Sequence, residues 1–391
     1  MKRKFFGFSQ NVFILSLVSF LNDIGGETIK RTIPLFLTNV LGVKTGIVGL
    51  VEGVAESTPQ IFQPISGWLS DKVAKRKPLI LFGQIIRSSI VFLFWATTWG
   101  QVLLLRFLDR SGKGITSAPR DALIAASSED QKRGRSFGLN RALDDGGAVF
   151  GLILAGLIVL LSQKGLTVLQ YHTFTKIVLL AVIPLILAVL IVWFLVKDEK
   201  KAIPDQSPLT LKDNLKPKFY YFLVITLIFS LSNSSDGFLV LRAQNIGVPI
   251  AVIFFLLALL NLTAALVSIP AGNLSDKIGR KQLLVVGWFL YGLAYLGFGQ
   301  VHSIIMFIGL FIVYGFYLGM TEGVAKAYVA DLVGEKKRGT AFGIYNLIVG
   351  GTLLPASLIA GFLWQTITPA SVFYFDAILA FVAAGILIFF K

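Results

Sequence analysis

The segment Gly67-Trp68-Leu69-Ser70-Asp71-Lys72-Val73-Ala74-Lys75-Arg76 returns 205 residues later as Gly272-Asn273-Leu274-Ser275-Asp276-Lys277-Ile278-Gly279-Arg280-Lys281. At the same spacing Lys132-Arg133-Gly134 with Phe137-Gly138 returns as Lys337-Arg338-Gly339 with Phe342-Gly343, and the loop pair Gly42-Val43 as Gly247-Val248. One spacing kept at three separate places makes the chain two copies of one design. An internal repeat of this kind constrains architecture ahead of any local propensity.

Composition decides the solvent of that design. Of 391 residues 55% are hydrophobic, only 15% are charged, and 33 are Phe. Apolar runs of about 20 residues match the roughly 30 Å hydrocarbon core of a bilayer. Twelve such spans are expected, at 9–39, 45–70, 78–98, 100–127, 136–161, 171–196, 219–243, 249–273, 281–299, 303–329, 340–364 and 369–390. The fold class is therefore all-α integral membrane, with twelve transmembrane helices in two six-helix repeats. Residues 1–196 form the first half and 219–391 the second. Residues 197–218, with Pro204, Pro208, Pro217 and several charges but no apolar periodicity, form a linker.

The net charge of +15 does not imply nucleic acid, because of where it lies. Basic residues gather at Lys2-Arg3-Lys4, Lys72 to Lys77, Lys132 to Arg135, Lys197 to Lys218, Lys277 to Lys281 and Lys336 to Arg338, which are alternate connections. Apart from Lys44 and Lys164, the intervening connections are nearly free of them. This asymmetry predicts a multi-pass protein of the cell's inner membrane with both termini and the linker in the cytoplasm. The basic Met1–Lys4 leads into an apolar stretch that runs past Leu21 without a small-residue cleavage site, so it reads as the first span rather than a removable signal. The chain has no Cys and only His172 and His302, which leaves little from which to build a metal site or a nucleophile–base pair. No cofactor, no metal and no enzymatic activity are expected.

The repeated segment resembles the loop motif of the major facilitator superfamily, Gly-x-x-x-Asp-(Arg/Lys)-x-Gly-Arg-(Arg/Lys). The second copy, from Gly272 through Asp276 to Arg280 and Lys281, fits every set position, and the first departs at Ala74 and Lys75. Arg110-Ser111-Gly112-Lys113-Gly114 resembles the family's fourth-helix motif Arg-x-x-Gln-Gly, with Lys in place of Gln. The run from Gly147 to Gly156 resembles the fifth-helix motif of its antiporters, without the Pro and one Gly. The stretch Arg106 to Ala125 is similar to a bacterial-type branch of undefined substrate. The resemblance covers the whole chain. It implies an alternating-access transporter whose central path is lined by helices 1 and 4 and flanked by helices 2 and 5. It also implies a cytoplasmic gate at Gly67, Asp71, Arg120, Asp121, Gly272, Asp276 and Arg280.

The span interiors carry the candidate site. An ionised side chain at the centre of a spanning helix costs about 2.5–3.5 kcal/mol on insertion scales, so it normally faces a cavity or a partner. Asp23, Glu27 and Arg31 are spaced i, i+4, i+8 on the first span and share a face. Glu52 and Glu56 stand four apart on the second, and Arg87 is mid-span on the third. Arg106, Arg110 and Lys113 stripe the fourth with Asp109 beside them, and Arg141 and Asp145 stand four apart on the fifth with Asp144 adjacent. The second half is sparser, with Asp236, Arg242, Glu322, Lys326 and Asp376. The charges of the first half are expected to face one hydrated cavity and neutralise one another. Asp23, Glu27, Arg31, Glu52, Glu56, Asp109, Arg110, Lys113, Asp144 and Asp145 are the expected substrate- or proton-binding residues. In such a place burial favours the protonated carboxyl and a nearby Arg the ionised one, which is the physical basis of proton coupling.

These residues point to a secondary transporter for a small-molecule or ionic substrate, acting as a monomer in the lipid bilayer, with proton-coupled efflux first. Uniport or transport of an ionic solute is the runner-up, because Arg110 and Lys113 accompany the acids. A non-transporting receptor or scaffold is the alternative from another class.

Overall fold

The computed structural model describes residues 4–5, 7–73, 75–128, 133–198, 217–333 and 338–389. Most of the linker, residues 199–216, lies outside the described residues. A two-residue antiparallel ribbon, Lys4–Phe5 with Phe8–Ser9, precedes the first helix, and the other regular elements among the described residues are helices.

Thirteen α-helices follow: α1 Gln10–Leu35, α2 Thr45–Val73, α3 Lys77–Ser88, α4 Trp99–Ser127, α5 Arg133–Ser162, α6 Tyr171–Leu195, α7 Pro217–Leu231, α8 Gly237–Asn245, α9 Ile250–Ile278, α10 Arg280–Gln300, α11 Ile304–Leu332, α12 Arg338–Thr366 and α13 Pro369–Phe389. A π-helical turn, Phe36–Val40, extends α1, and a 3₁₀ segment, Ser89–Trp95, extends α3. Among the described residues nine helices are long and apolar enough to cross a membrane. The other three expected spans are the charge-bearing α2 and α4 and the interrupted pair α7–α8.

That interruption corrects the continuous span expected at 219–243. Ser232, Asn233, Ser234, Ser235 and Asp236 separate α7 from α8. Short polar side chains offer the backbone local hydrogen bonds that compete with the helix ladder. Inside a bilayer the freed backbone groups need partners within the protein. Tyr291 on α10 donates its hydroxyl to the Ser232 carbonyl, and the Ser235 amide donates to Ser357 Oγ of α12 at 3.3 Å. Beyond the break, Arg242 of α8 fans its guanidinium over the carbonyls of Phe298, Gly299 and Val301 at 2.9–3.3 Å and reaches Asn245 Oδ1 at 2.8 Å.

The chain divides into two compact units. The first is Met1–Leu41 with Thr58–Gln206, and the second is Gly42–Ser57 with Ser207–Lys391. The opening stretch of α2 therefore clusters with the second unit. Gly49 and Gly53 there rest closely against α12: a Cβ on Gly49 would strike the Ser357 carbonyl oxygen, and one on Gly53 would press on Leu354. In the first unit Gly147 and Gly151 do the same for α5 against Phe20 and Ile24 of α1, the close helix packing that small residues permit.

The surface is inverted relative to a soluble protein. Leu161, Ile305 and Phe389 are 77–84% exposed, whereas Arg106, Glu52 and Asp376 are at most 1% exposed. In a bilayer the apolar groups meet lipid tails and the polar ones meet one another.

Candidate functional site

In the first unit the charges converge on Asp109. Its Oδ1 lies 3.5 Å from Arg87 Nε, and its Oδ2 lies 3.6 Å from Arg106 Nη1 and 3.7 Å from Arg110 Nε. Arg106, Asp109 and Arg110 sit at i, i+3, i+4 on α4 and so share a face. Arg87 arrives from α3 because Gly83 and Gly112 let the two helices touch. A Cβ on Gly112 would stand 2.7 Å from the Arg87 Cγ. The four side chains are buried, none more than 5% exposed. One turn further on, Lys113 Nζ meets Asp23 Oδ1 of α1 at 4.0 Å. Arg31 Nε and Glu27 Oε2 pair along α1 at 3.5 Å.

These contacts are longer than charge-assisted hydrogen bonds, which run about 2.7–2.9 Å. They are ion pairs held at arm's length inside the span. The sequence brought Arg110 to Asp109, but the contributions of Arg87 and Arg106 were not assigned. Their signal was the placement of two more cations at mid-span.

The Arg120 group lies toward the other end of α4. Arg120 Nε donates to Asp121 Oδ1 at 2.9 Å and Nη1 to Ser19 Oγ at 2.9 Å, with Asp144 Oδ1 at 4.0 Å. Ser19 in turn donates to Asn140 Oδ1 at 3.0 Å. This chain ties α1, α4 and α5. Arg141 pairs with Asp145 at 3.0 Å on the same helix face, so the adjacent acids Asp144 and Asp145 serve different arginines. The side chain of Asp71 lies outside the described residues.

In the second unit Arg280 Nη1 meets Asp331 Oδ1 at 2.5 Å and the Ala327 carbonyl at 2.9 Å, and its Nη2 lies 3.4 Å from Asp276 Oδ1. Gly279 ends α9 at φ +100°, a left-handed conformation that L side chains rarely adopt. The first unit repeats the contact through Arg76, whose Nη1 donates to the Ala122 carbonyl at 3.2 Å. Lys77 Nζ reaches the Trp193 carbonyl at 2.7 Å, and Lys281 Nζ the Ile388 carbonyl at 2.9 Å. The counterpart of Arg280 is therefore Arg76 and not Lys75. The 205-residue spacing slips by one in this turn, which accounts for the motif's departure at Lys75.

Glu52 lies within the second unit, where its Oε2 accepts from Ser235 Oγ of the α7–α8 break at 3.0 Å. The break gathers two further acids. Asp236 Oδ1 accepts from the Tyr314 hydroxyl at 2.7 Å, and Asp376 Oδ2 accepts from Ser234 Oγ at 2.7 Å. Glu56, one turn beyond Glu52, belongs to the same stretch of α2. Asp236 and Asp376 were not among the expected site residues. The signal that could have found them is the Ser-Asn-Ser-Ser-Asp run at 232–236, five polar residues in the middle of an apolar span.

Residues 15–241 and 222–391 match the model of the Major Facilitator Superfamily. An uncharacterised MFS-type transporter of Methanocaldococcus jannaschii is 38% identical over 395 residues, covering 97% of this chain and 95% of that protein. Sugar efflux transporter B of Salmonella typhimurium is 25% identical over 385 residues, covering 93% of this chain and 91% of that protein. Among solved structures, the crystal structure of nucleoside transporter NupG aligns with a TM-score of 0.78 at 14% identity, covering 97% of this chain and 98% of that one.

Proposed function

We propose that this chain, which belongs to the major facilitator superfamily of membrane transporters, is a secondary transporter that exports a small solute by alternating access in exchange for protons. Its cytoplasmic gate is formed around the two repeated loops. Both termini and the linker lie in the cytoplasm, and the working unit is a single chain in the inner membrane.

The observation that carries this reading is the Asp23–Lys113 pair. A carboxylate of α1 and an ammonium of α4 stand 4.0 Å apart inside a helical unit, close enough to interact and too far to hydrogen-bond. A solute or a proton can enter such a pair at small cost, and each changes the binding of the other. Glu27, beside Arg31, supplies a second acid on the same face. The whole-length similarity to a sugar efflux transporter supports the outward direction.

The test is counterflow against pH-driven flux in proteoliposomes for Asp23→Asn, Glu27→Gln, Glu56→Gln and Asp109→Asn. A thermal-shift screen with metabolites, drugs and metal ions first supplies the solute. A proton-carrying acid shows exchange retained and pH-driven flux lost. Full pH-driven flux in all four variants replaces antiport with facilitated diffusion.

A second reading has its own support. Three guanidinium groups lie 3.5–3.7 Å from the carboxylate of Asp109, an arrangement suited to an ionic solute. Under it, flux follows the charge of the solute and does not require a pH gradient.

A further inference from the structure

The second unit holds a buried acid for which the transport reading has no use. Asp376 lies two turns into α13, is 1% exposed, and accepts from Ser234 Oγ at 2.7 Å. Among the described residues no Lys, Arg or His forms an ion pair with it. The groups facing it are neutral or acidic. Tyr295 of α10 packs against Phe373 of α13 with ring centroids 5.7 Å apart, and Tyr291 stacks on Tyr295 at 4.0 Å. The break contributes Ser234 and, beyond it, Asp236, held by Tyr314. Helix α12 has no acid, and its one base, Arg338, stands at its first residue. On α13 itself Tyr374 is the other titratable group.

In the first unit arginines and lysines balance the acids, and nothing comparable reaches Asp376. An uncompensated charge inside a span is costly. A proton removes it, and the resulting carboxylic acid can both donate to and accept from a hydroxyl.

We propose that Asp376 is a proton-binding site that controls the break in the seventh span. With the proton bound, the carboxyl and Ser234 exchange hydrogen bonds and hold residues 232–236 against α13. When the O–H bond breaks and the proton leaves to water, the carboxylate can only accept. It then draws water toward the break, and the segment loosens. The proposal goes beyond solute transport, whose coupling was assigned to acids of the first and second spans and to Asp109.

The experiment uses the full chain in nanodiscs, where the absence of native Cys leaves no background. A single Asn233→Cys, at the half-buried residue of the break, is alkylated across a pH series. Its rate is normalised to Lys164→Cys in an exposed loop, which removes the intrinsic thiol dependence. The normalised rate should rise severalfold with pH along a one-proton curve. Asp376→Asn should flatten the profile at the low-pH rate. Ser234→Ala and Asp376→Glu keep an acid and should displace the midpoint. A profile unchanged by Asp376→Asn, or a response to Na⁺ at constant pH in place of pH, overturns the proposal. If Asp376→Asn does not insert, the other two variants decide, and profiles superimposable on the parent overturn it. The readout contains no solute flux, so it stands or falls independently of proton antiport.

Discussion

Arg87 on α3 and Asp109 on α4 lie 3.5 Å apart, Nε to Oδ1, with neither side chain more than 5% exposed. The same carboxylate serves Arg106 and Arg110. Replacing Asp109 with Asn therefore leaves three buried cations without their shared counter-charge. Breaking a buried pair by removing one partner costs about 3–5 kcal/mol. Asp109→Asn should lower the melting temperature of the detergent-solubilised protein by many degrees, and Arg87→Ala should cost less in that background than in the parent. Additive losses would mean that the two residues are not coupled.

The one-residue slip in the repeated turn gives a second expectation. Arg76 and Arg280 each donate to a carbonyl of the neighbouring helix, whereas Lys75 is exposed. A hydrogen bond from a charged group contributes about 1.5–3 kcal/mol. Arg76→Ala and Arg280→Ala should both lower thermal stability and transport, and Lys75→Ala should change stability by less than about 0.5 kcal/mol. A Lys75→Ala variant as damaged as Arg76→Ala would restore the unslipped alignment.

Helix crossing supplies a third. A Cβ on Gly151 would run into the Ile24 carbonyl oxygen, while Gly146, five residues earlier on α5, has nothing within 4 Å. Overpacking typically costs about 1–3 kcal/mol, so Gly151→Val should destabilise the protein. Gly146→Ala should be neutral or mildly stabilising, because Ala is the better helix former. Thermal unfolding of the two variants side by side checks the contrast.

Orientation is the fourth. A single Cys at Ser207, within the linker, should react with a membrane-impermeant thiol reagent only after cells are opened. Labelling in intact cells would invert the topology.

Helix existence and type were legible because apolar length and the repeat both point one way. The seventh span was misread because a hydropathy average passes over five small polar residues, and only backbone hydrogen-bond competition betrays them. Along α4, spacing alone put Arg106, Arg110 and Lys113 on one stripe with Asp109 beside it. The partner from α3 was invisible, since it depends on Gly83 and Gly112 letting two helices touch. Glu52 accepts from Ser235, 183 residues away in sequence. Its grouping with Ser235 is a long-range outcome that no local pattern encodes.

The break also sets an order of assembly. At 1.5 Å per residue, the fifteen residues of α7 extend about 22 Å, short of a roughly 30 Å hydrocarbon core. The nine of α8 are shorter still. The polar segment between them bonds to Glu52, made before it, and to Tyr291, Tyr314, Ser357 and Asp376, made after it. The last of these emerges from the ribosome more than a hundred residues after the segment that needs it. During synthesis the seventh span must therefore wait, incompletely satisfied, for the final helix. A chain that stops before α13 should be handed to quality control even though eleven spans are already made.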